Sequence, residues 1–291
     1  MNLLFLFFKK ITSIFFGKGF GYIPGVRFLY RVLYRRLKPS GICLFENVQG
    51  YKMWINSDDT GIAPHIMMRG IFGEYETNII RKIIEPGMTV IDIGANFGYF
   101  SLLLSGLVGE SGKVFAFEPD PSAFKLLSRN IKENGIKNVF LINKALSDRT
   151  GHTKLYLDKD NQGEMSLSLD NVDKPCGCVY VETITLDSYF ARLNEKIDFI
   201  KMDVQGAEGM VIDGAKEILN KHKPKILFEF WPRGLNNLGF SPEELLTGLV
   251  SVGYKIKEVK EVLNEYGILN IPKTSGNRKD NKGFTNLLCE F

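Results

Sequence analysis

One stretch, Val90–Ser101 with the sequence VIDIGANFGYFS, constrains the fold more than any other part of the chain. An apolar run ends at Asp92, a turn with Gly94, Asn96 and Gly98 follows, and a second apolar run begins directly after it. This order predicts a buried strand, a tight loop and a helix start. In open α/β sheets such loops bind nucleotides, because glycines allow close backbone approach and the helix start offers free N–H groups. The alternative is a buried strand with a glycine turn and no ligand.

The spacing of the glycines distinguishes between classes of nucleotide. The dinucleotide fingerprint G-x-G-x-x-G is absent, since Asn96 lies between Gly94 and Gly98. A second apolar run, Lys113–Glu118 with the sequence KVFAFE, ends in an acid about 20 residues after the glycine loop. A carboxylate at that spacing suits a ribose diol, which offers two O–H donors to one acceptor group. A solvated acid at the end of a strand is the alternative for Glu118.

Length and cysteine content restrict the class of protein. The 291 residues suffice for one large α/β domain with additions. The four cysteines, Cys43, Cys176, Cys178 and Cys289, form neither a disulfide framework nor paired metal-binding knuckles. Reduced thiols of this kind are typical of a cytoplasmic protein, which is the localisation we expect.

Basic residues are concentrated at the N-terminus. The first 45 residues contain eight Lys and Arg and no acid, whereas the whole chain has 37 basic and 33 acidic residues. Two apolar runs, Leu3–Phe8 and Ile11–Phe16, precede a basic amphipathic helix predicted over Val26–Leu37. The runs are too short and interrupted to span a bilayer. We expect residues 1–40 to lie on an anionic membrane surface at the inner face of the cell membrane, or else to pack on the body or form an oligomer. The mildly acidic remainder does not favour nucleic acid as a partner.

Strand-like and helix-like runs alternate along the rest of the chain. This order predicts an α/β fold with a doubly wound, mostly parallel sheet. We predict seven strands, the last one antiparallel, at 88–93, 113–118, 138–142, 197–203, 225–230, 254–259 and 284–290. We predict helices at 71–84, 97–107, 121–134, 207–221 and 241–251. Before them, residues 42–56 suggest a hairpin that turns at Gln49-Gly50. The resulting segments are a helical arm (1–45), a cap (46–87) and a ligand-binding domain (88–291).

An insertion separates the third and fourth strands of the predicted sheet. It covers about 145–190 and contains two strand-like runs, Thr153–Leu157 and Val179–Ile184, with a polar loop between them. This position lies over the carboxyl edge of the sheet, where substrate sites form. We predict a substrate lid, and a surface hairpin without a role is the alternative.

A second signature, Phe199–Glu208 with the sequence FIKMDVQGAE, suggests a family. Together with VIDIGANFGYFS, FAFEPDP, NKALSD and TLDSY, it resembles the FkbM family of class I S-adenosylmethionine-dependent methyltransferases over residues 74–260. The resemblance implies a Rossmann-like fold and S-adenosyl-L-methionine as cofactor. It implies methyl transfer to a hydroxyl-bearing small molecule, glycan or lipid-linked acceptor. Two rival functions are a membrane-tethered S-adenosylmethionine-binding module without turnover and a nicotinamide-dependent oxidoreductase.

The resemblance assigns a set of cofactor-binding residues near the carboxyl ends of the strands. They are Glu76, Asp92, Gly94, Asn96, Gly98, Glu118, Ala145, Ser147, Asp148 and Asp203. Of these, Glu76 reaches the methionine amino group, and Glu118 holds the ribose. The loop from Asp92 to Gly98 lines the methionine end, and Ala145 with Ser147–Asp148 borders the adenine.

Three acids are the catalytic candidates, since a carboxylate can take or orient the proton of a reacting hydroxyl. They are Asp203, Glu208 and Glu229, with helix-dipole compensation as the alternative role for Glu208. The family pattern D-x-E-G-x-E is altered here, because Gln205 replaces the first glutamate. That change removes a charge and weakens the case for position 205 as a base or metal ligand. The scattered histidines predict no metal site, although a magnesium ion bound by the acids near Asp203 remains an alternative.

Overall fold

The computed structural model describes residues 3–15, 25–193, 195–259 and 283–291. The chain divides into two compact units, residues 1–72 and 73–291. The segment boundaries predicted at residues 45 and 87 stay predictions. The sequence also predicts a glycine-rich break over Gly17–Gly25 and a polar loop over Lys273–Gly283, and both lie mostly outside the described residues.

The first unit combines three helices with a two-stranded hairpin. Its elements are α1 (Leu3–Phe15), α2 (Val26–Leu37), β1 (Ile42–Val48), β2 (Tyr51–Asn56) and α3 (Ala63–Arg69). The predicted basic helix is confirmed with its boundaries, as is the hairpin. The turn residues Gln49 and Gly50 have φ values of 53° and 91°, the positive pair that a tight hairpin turn requires.

Aromatic contacts fasten α1 to α2. The ring of Phe5 lies 6.4 Å from that of Tyr34, and the ring of Phe8 lies 5.5 Å from that of Tyr30. Both phenylalanines are buried. Among the described residues, no helix combines the length and the apolar character needed to cross a membrane.

The second unit is built on a seven-stranded sheet. Its strands are β3 (Thr89–Ile93), β4 (Lys113–Phe117), β5 (Val139–Ile142), β9 (Phe199–Met202), β10 (Lys225–Phe230), β11 (Lys255–Glu258) and β12 (Thr285–Glu290). They lie in the order β11-β12-β10-β9-β3-β4-β5. All pairs are parallel except those of β12, which is antiparallel to both of its neighbours. The predicted Rossmann-like methyltransferase fold, with an antiparallel closing strand, is confirmed.

The helices of this unit pack on both faces of the sheet. They are α4 (Glu74–Ile83), α5 (Tyr99–Val108), α6 (Pro121–Glu133), α7 (Leu186–Phe190), α8 (Glu208–Asp213), α9 (Lys216–His222), α10 (Pro232–Asn237) and α11 (Pro242–Val252). Strands with buried residues on every position, such as β3, place the core between the sheet and these helices.

Two predicted helices need correction. The helix predicted over 207–221 is two helices, α8 and α9, with a break at Gly214. The chain there runs so close to Ser147 that a β-carbon at Gly214 would lie 2.1 Å from its carbonyl oxygen. The helix predicted over 71–84 begins at Glu74, because Gly73 has a left-handed φ of 51°.

The predicted insertion contains the hairpin that its sequence suggested. Strands β6 (Ala145–Leu146), β7 (Gly151–Asp158) and β8 (Pro175–Ile184) form a separate sheet in the order β6-β8-β7. Strands β7 and β8 are antiparallel, and β6 joins β8 in parallel just after β5 ends.

Candidate active site

The loop after β3 has the tight geometry that its glycines predicted. Gly94, Asn96 and Gly98 have φ values of 76°, 50° and 94°. The backbone N–H groups of Gly94 and Ala95 both donate to the carbonyl oxygen of Phe117, 3.0 Å away, which ties the loop to the end of β4. A β-carbon at Gly98 would lie 2.6 Å from a methyl carbon of Leu127 on α6. The left-handed φ together with this contact favours glycine here, whatever ligand the loop binds.

Glu118, directly after β4, connects this loop to the next one. One carboxylate oxygen accepts the N–H of Asn96 at 2.7 Å, and the other accepts the N–H of Asp120 at 2.8 Å. Burial raises the pKa of Glu118 to about 8. A carboxylate oxygen has two lone-pair sites, so each oxygen keeps one for a further donor. The two hydroxyl donors of a ribose diol would fit these two acceptor sites, and this assignment stays a prediction.

Asp92 is fully buried at the carboxyl end of β3. Its Oδ2 accepts a hydrogen bond from the hydroxyl of Ser101 at 2.6 Å, whereas Oδ1 has no hydrogen-bond partner within the described part of the chain. Burial raises the pKa of Asp92, and the nearby charge of Lys201 opposes that rise. An orphaned acceptor of this kind fits a cationic or N–H-bearing group of a ligand such as the methionine end of the cofactor.

Lys201 is the buried cation of the site, and sequence reasoning missed it. Its Nζ lies 3.7 Å from Asp203 Oδ2, 4.0 Å from Asp92 Oδ1 and 4.7 Å from the ring centre of Phe100. Lys201 therefore compensates two acids at the ends of neighbouring strands. The available signal was a lysine inside the otherwise apolar strand β9, since an unpaired lysine is almost never fully buried.

Three polar side chains at the ends of β9 and β10 form one cluster. The side-chain amide nitrogen of Gln205 donates to Asp203 Oδ1 at 2.9 Å and to Glu229 Oε2 at 3.1 Å. Burial raises the pKa of Glu229, and the charge of Asp203 adds to the rise. The side chain of Asp203 remains 30% exposed, so it is accessible to a second reactant. Gln205 stands where the family pattern has a glutamate, and its amide donates to two acids.

The closing strand adds a residue that sequence reasoning also missed. Asn286 on β12 is paired with Glu229 on β10 in the antiparallel register, and its amide donates to the carboxylate of Glu76 on α4. Burial raises the pKa of Glu76, with the charge of Asp203 acting in the same direction and that of Lys201 against it. Glu76 thus lies within electrostatic range of the candidate base. The sequence around Asn286 offered no signal beyond a polar residue in a strand.

Glu208 is buried and braces the loop after β9. Its Oε1 accepts the N–H groups of Val204 and Gly206, each at 3.3 Å, whereas Oε2 has no hydrogen-bond partner among the described residues. Burial raises its pKa to about 7. Its position in the first turn of α8 is compatible with the dipole role as well, so its catalytic role stays a prediction.

The residues predicted to border the adenine have other contacts. Ala145 and Ser147 are buried, and the Ser147 hydroxyl bonds to Asp148 Oδ1 at 3.0 Å and lies 3.8 Å from the Met210 sulfur. The residue tied to Glu118 is Asn143, whose amide donates to the Glu118 carbonyl oxygen at 2.7 Å. The adenine assignment stays a prediction. In the described ranges, no group of three or more His, Cys, Asp or Glu could hold a metal ion.

The insertion lies against the loops that carry these residues. The side-chain amide of Asn96 donates to the carbonyl oxygen of Gln162 at 3.3 Å, and the hydroxyl of Ser166 donates to that of Gln205 at 2.8 Å. The insertion is therefore at the carboxyl edge of the sheet, where the sequence placed it. Its role as a substrate lid stays a prediction.

Comparison with known proteins identifies related sequences. The profile described as Methyltransferase FkbM domain matches residues 92–256. The 2-O-methyltransferase NoeI of Sinorhizobium fredii is 31% identical over 157 residues, which are 49% of this chain and 63% of that protein. The chain thus spans less than two thirds of that relative's length. The methyltransferase sdnD of Sordaria araneosa is 28% identical over 208 residues, covering 60% of this chain and 78% of that protein.

One solved structure aligns with most of this chain. The crystal structure of methyltransferase FkbM from Methylobacillus flagellatus KT aligns with 73% of this chain and 50% of its own, at 16% identity and a TM-score of 0.44.

Proposed function

Because this chain belongs to the FkbM methyltransferase family, we propose that it transfers a methyl group to a hydroxyl oxygen of a glycan, glycolipid or lipid-linked acceptor. Membership in the family confirms the resemblance found in the sequence and the predicted cofactor, S-adenosylmethionine. The related 2-O-methyltransferase, named for transfer to oxygen, supports a hydroxyl as the acceptor group. Neither a nicotinamide-dependent oxidoreductase nor a binding module without turnover gains support from the family.

The observation that carries this proposal is the shared amide of Gln205 between Asp203 and Glu229. Bound S-adenosylmethionine supplies an activated methyl group that a correctly aligned hydroxyl oxygen can displace. Asp203, which is partly exposed and hydrogen-bonded at Oδ1, has a free lone pair to accept or orient the hydroxyl proton. Glu229 is buried with a raised pKa, which favours its neutral form beside a charged Asp203.

The chain's residues fit the cofactor at two points. Glu118 has acceptor capacity for the ribose diol, and Asp92 Oδ1 lacks a hydrogen-bond partner within the described residues, with only the Lys201 charge 4.0 Å away among them. The carbonyl oxygen of Asp203 lies against Gly94, so the candidate base and the cofactor loop are neighbours. Holding both reactants in alignment supplies much of the rate of such a displacement.

The test is a methyl-transfer assay with S-adenosylmethionine labelled in its methyl group. Neutral glycans, glycolipids and lipid-linked saccharides serve as acceptors, and mass spectrometry locates the new methyl group. We expect oxygen methylation by the wild-type protein and its loss in Asp203→Asn. Methylation at nitrogen or carbon would contradict the acceptor class. Tight binding of S-adenosylhomocysteine with no product from any acceptor would favour the binding module.

We also propose that residues 1–40 attach the chain to an anionic membrane surface. The helices α1 and α2 expose large apolar side chains, including Leu3 (81%), Phe7 (65%) and Phe28 (73%). The same segment carries basic residues and no acid. An anionic lipid surface attracts such a segment with about 1 kcal/mol per basic residue, and burial of the apolar groups adds to this.

Vesicle flotation tests this attachment. We expect the full chain to float with vesicles that contain phosphatidylglycerol, and to float less at high salt because the attraction is screened. The double variant Phe7→Asp/Phe28→Asp should remain at the bottom. Tyr180→Asp is the matched control, since Tyr180 is 72% exposed on the insertion. Equal flotation of both variants would contradict the proposal, and loss of self-association in the double variant would indicate a subunit interface.

A further inference from the structure

We infer that Asn171, in the insertion, is a positioning residue that holds the Gln205 amide between Asp203 and Glu229; this inference rests on the function proposed above. Asn171 is only 5% exposed. The side-chain amide nitrogen of Asn171 donates to the backbone carbonyl oxygens of Gln205, at 3.0 Å, and Gly234, at 3.2 Å. It also lies 3.2 Å from the hydroxyl of Ser166. Two amide hydrogens thus serve three acceptors.

The rest of the Asn171 side chain is fixed as well. Its side-chain oxygen accepts a hydrogen bond from the side-chain amide of Asn237 at 2.8 Å. The backbone is held too, since the N–H of Asn171 donates to the carbonyl oxygen of Ser168 at 3.2 Å. Every polar atom of this side chain is therefore engaged, although the residue belongs to an insertion outside the main sheet. Full engagement of a buried amide indicates a rigid attachment point.

Gln205 needs such an attachment because its backbone is strained. It has a φ of 50°, a left-handed conformation that non-glycine residues rarely adopt because it is sterically unfavourable. Asn171 and Ser166 both donate to its carbonyl oxygen. They hold the peptide in the orientation that sends the side chain toward Asp203 and Glu229.

The adjoining glycine of the family motif has the same explanation. A β-carbon at Gly206 would lie 2.6 Å from the amide nitrogen of Asn171 and 2.7 Å from the Gly234 carbonyl. The space that a side chain would need is occupied by the contact between the insertion and this loop. Because Gly206 has no side chain, the amide of Asn171 can occupy the space beside it.

Loss of Asn171 should free the Gln205 side chain from its position between Asp203 and Glu229. The carbonyl of Gly234 would lose the donor provided by Asn171, and Gln205 would keep only the Ser166 hydroxyl on its carbonyl oxygen. Without a fixed backbone, the Gln205 amide would no longer stay between the side chains of Asp203 and Glu229. Asp203 would then be misaligned for the reacting hydroxyl, while the cofactor loop after β3 would be unchanged.

Side-chain amide resonances test this directly, and they need no acceptor. In ¹⁵N-labelled protein, Gln205→Met identifies the Gln205 amide pair, which we expect to be shifted and slow to exchange in the wild type. In Asn171→Ala we expect exchange at least tenfold faster, with affinity for S-adenosylhomocysteine within twofold of wild type. Asn220→Ala is the matched control, because Asn220 bonds to a backbone carbonyl on the exposed side of α9.

Two further measurements keep the test decisive. Asn171→Ser retains one donor and should fold if Asn171→Ala does not, with intermediate exchange. Where methylation is measurable, kcat should fall at least tenfold in Asn171→Ala with little change in the KM for S-adenosylmethionine. An unchanged Gln205 amide in a folded variant would overturn the inference, even if methyl transfer is confirmed. Absence of methyl transfer in the wild type would instead contradict the proposed function and leave the amide result to decide the positioning.

Discussion

Gly94 and Asp203 touch through their backbones, since a β-carbon at Gly94 would lie 2.0 Å from the carbonyl oxygen of Asp203. The N–H of Asp203 also donates to the carbonyl oxygen of Ile93 at 3.0 Å. The cofactor loop and the backbone of the candidate base are therefore one packed assembly at the ends of β3 and β9. A substitution that displaces the backbone of either residue should therefore displace the other as well.

Gly94→Ala should destabilise the protein strongly. The new methyl group would meet a backbone oxygen that cannot move aside, and φ is already 76°. We expect a loss of about 3 kcal/mol or more in the free energy of unfolding, measured by urea denaturation. Gly135→Ala is the control, because Gly135 has a φ of 63° with no atom within 4 Å. It should cost only about 1–2 kcal/mol, and equal losses would show that the close approach is unimportant.

The affinity for S-adenosylhomocysteine should depend on the ionisation of Glu118. Its pKa is raised to about 8 in the free protein, and ribose hydroxyls would favour the charged form. Binding should then release a proton below pH 8, so the affinity should rise from pH 6 to about 8 and level off above. Calorimetry in buffers of different ionisation enthalpy measures this proton.

Glu118→Gln serves as the control for that pH dependence. The variant keeps the shape and one acceptor but has no charge to titrate. A charge-assisted hydrogen bond is worth about 1.5–3 kcal/mol, so the affinity should fall roughly ten- to a hundredfold. A wild-type affinity that is unchanged between pH 6 and 9 would remove Glu118 from the ribose site.

Asp203→Asn should separate catalysis from binding. The asparagine can still accept the Gln205 amide through Oδ1, but it cannot take a proton from the acceptor hydroxyl. We expect kcat to fall about 10²-fold or more, with cofactor affinity little changed. Equal losses of kcat and affinity would assign Asp203 to cofactor binding or folding. Full activity would exclude it from the mechanism.

Lys201→Met should cost stability in a pH-dependent way. Removing one partner of a buried ion pair typically costs about 3–5 kcal/mol. The pKa of Asp92 is already raised by burial, and loss of the lysine would raise it further. A group with a raised folded pKa loses its stabilising contribution as the pH rises, so the deficit should grow from pH 4 to 8.

Urea denaturation across that pH range measures the deficit. Lys196→Met is the matched control, because Lys196 pairs with Asp198 at 2.7 Å but its side chain is 75% exposed. Its removal should change stability little at any pH. A deficit in Lys201→Met that shrinks with rising pH would contradict the assigned role of the buried cation.

The sequence predicted the centre of the sheet well because strands such as β3 and β4 are short apolar runs followed by a glycine or an acid. Elements such as β3, β4 and β10 follow from local pattern alone, as does the hairpin at Gln49-Gly50. The break in the helix predicted over 207–221 does not. At that break Gly214 packs against the carbonyl oxygen of Ser147, a contact between distant segments that no local pattern encodes.

The candidate site also combines residues that local sequence patterns reveal with residues that depend on contacts between distant segments. Glu118 and Asp203 end apolar strands, so their neighbourhood follows from the topology of a parallel sheet. Asn286 could not be found this way, because it is 210 positions from its partner Glu76 and reaches it through an antiparallel strand. Asn171 was also invisible, since its partners Gln205, Gly234 and Asn237 lie in distant segments that no local pattern connects to it. Lys201 had a local signal, a charge inside a buried strand, which becomes meaningful only beside Asp92.

The placement of β12 between β10 and β11 also governs the order in which the molecule can be assembled. During synthesis β11 leaves the ribosome before the only strand it pairs with in the sheet, while one edge of β10 stays bare. A bare edge invites pairing with another chain, so the nascent protein passes through a stage that is prone to aggregate. Asn286 reaches Glu76 only when that stage ends. Strand β12, which follows β11 in the chain, therefore closes the sheet and completes the site in the same step.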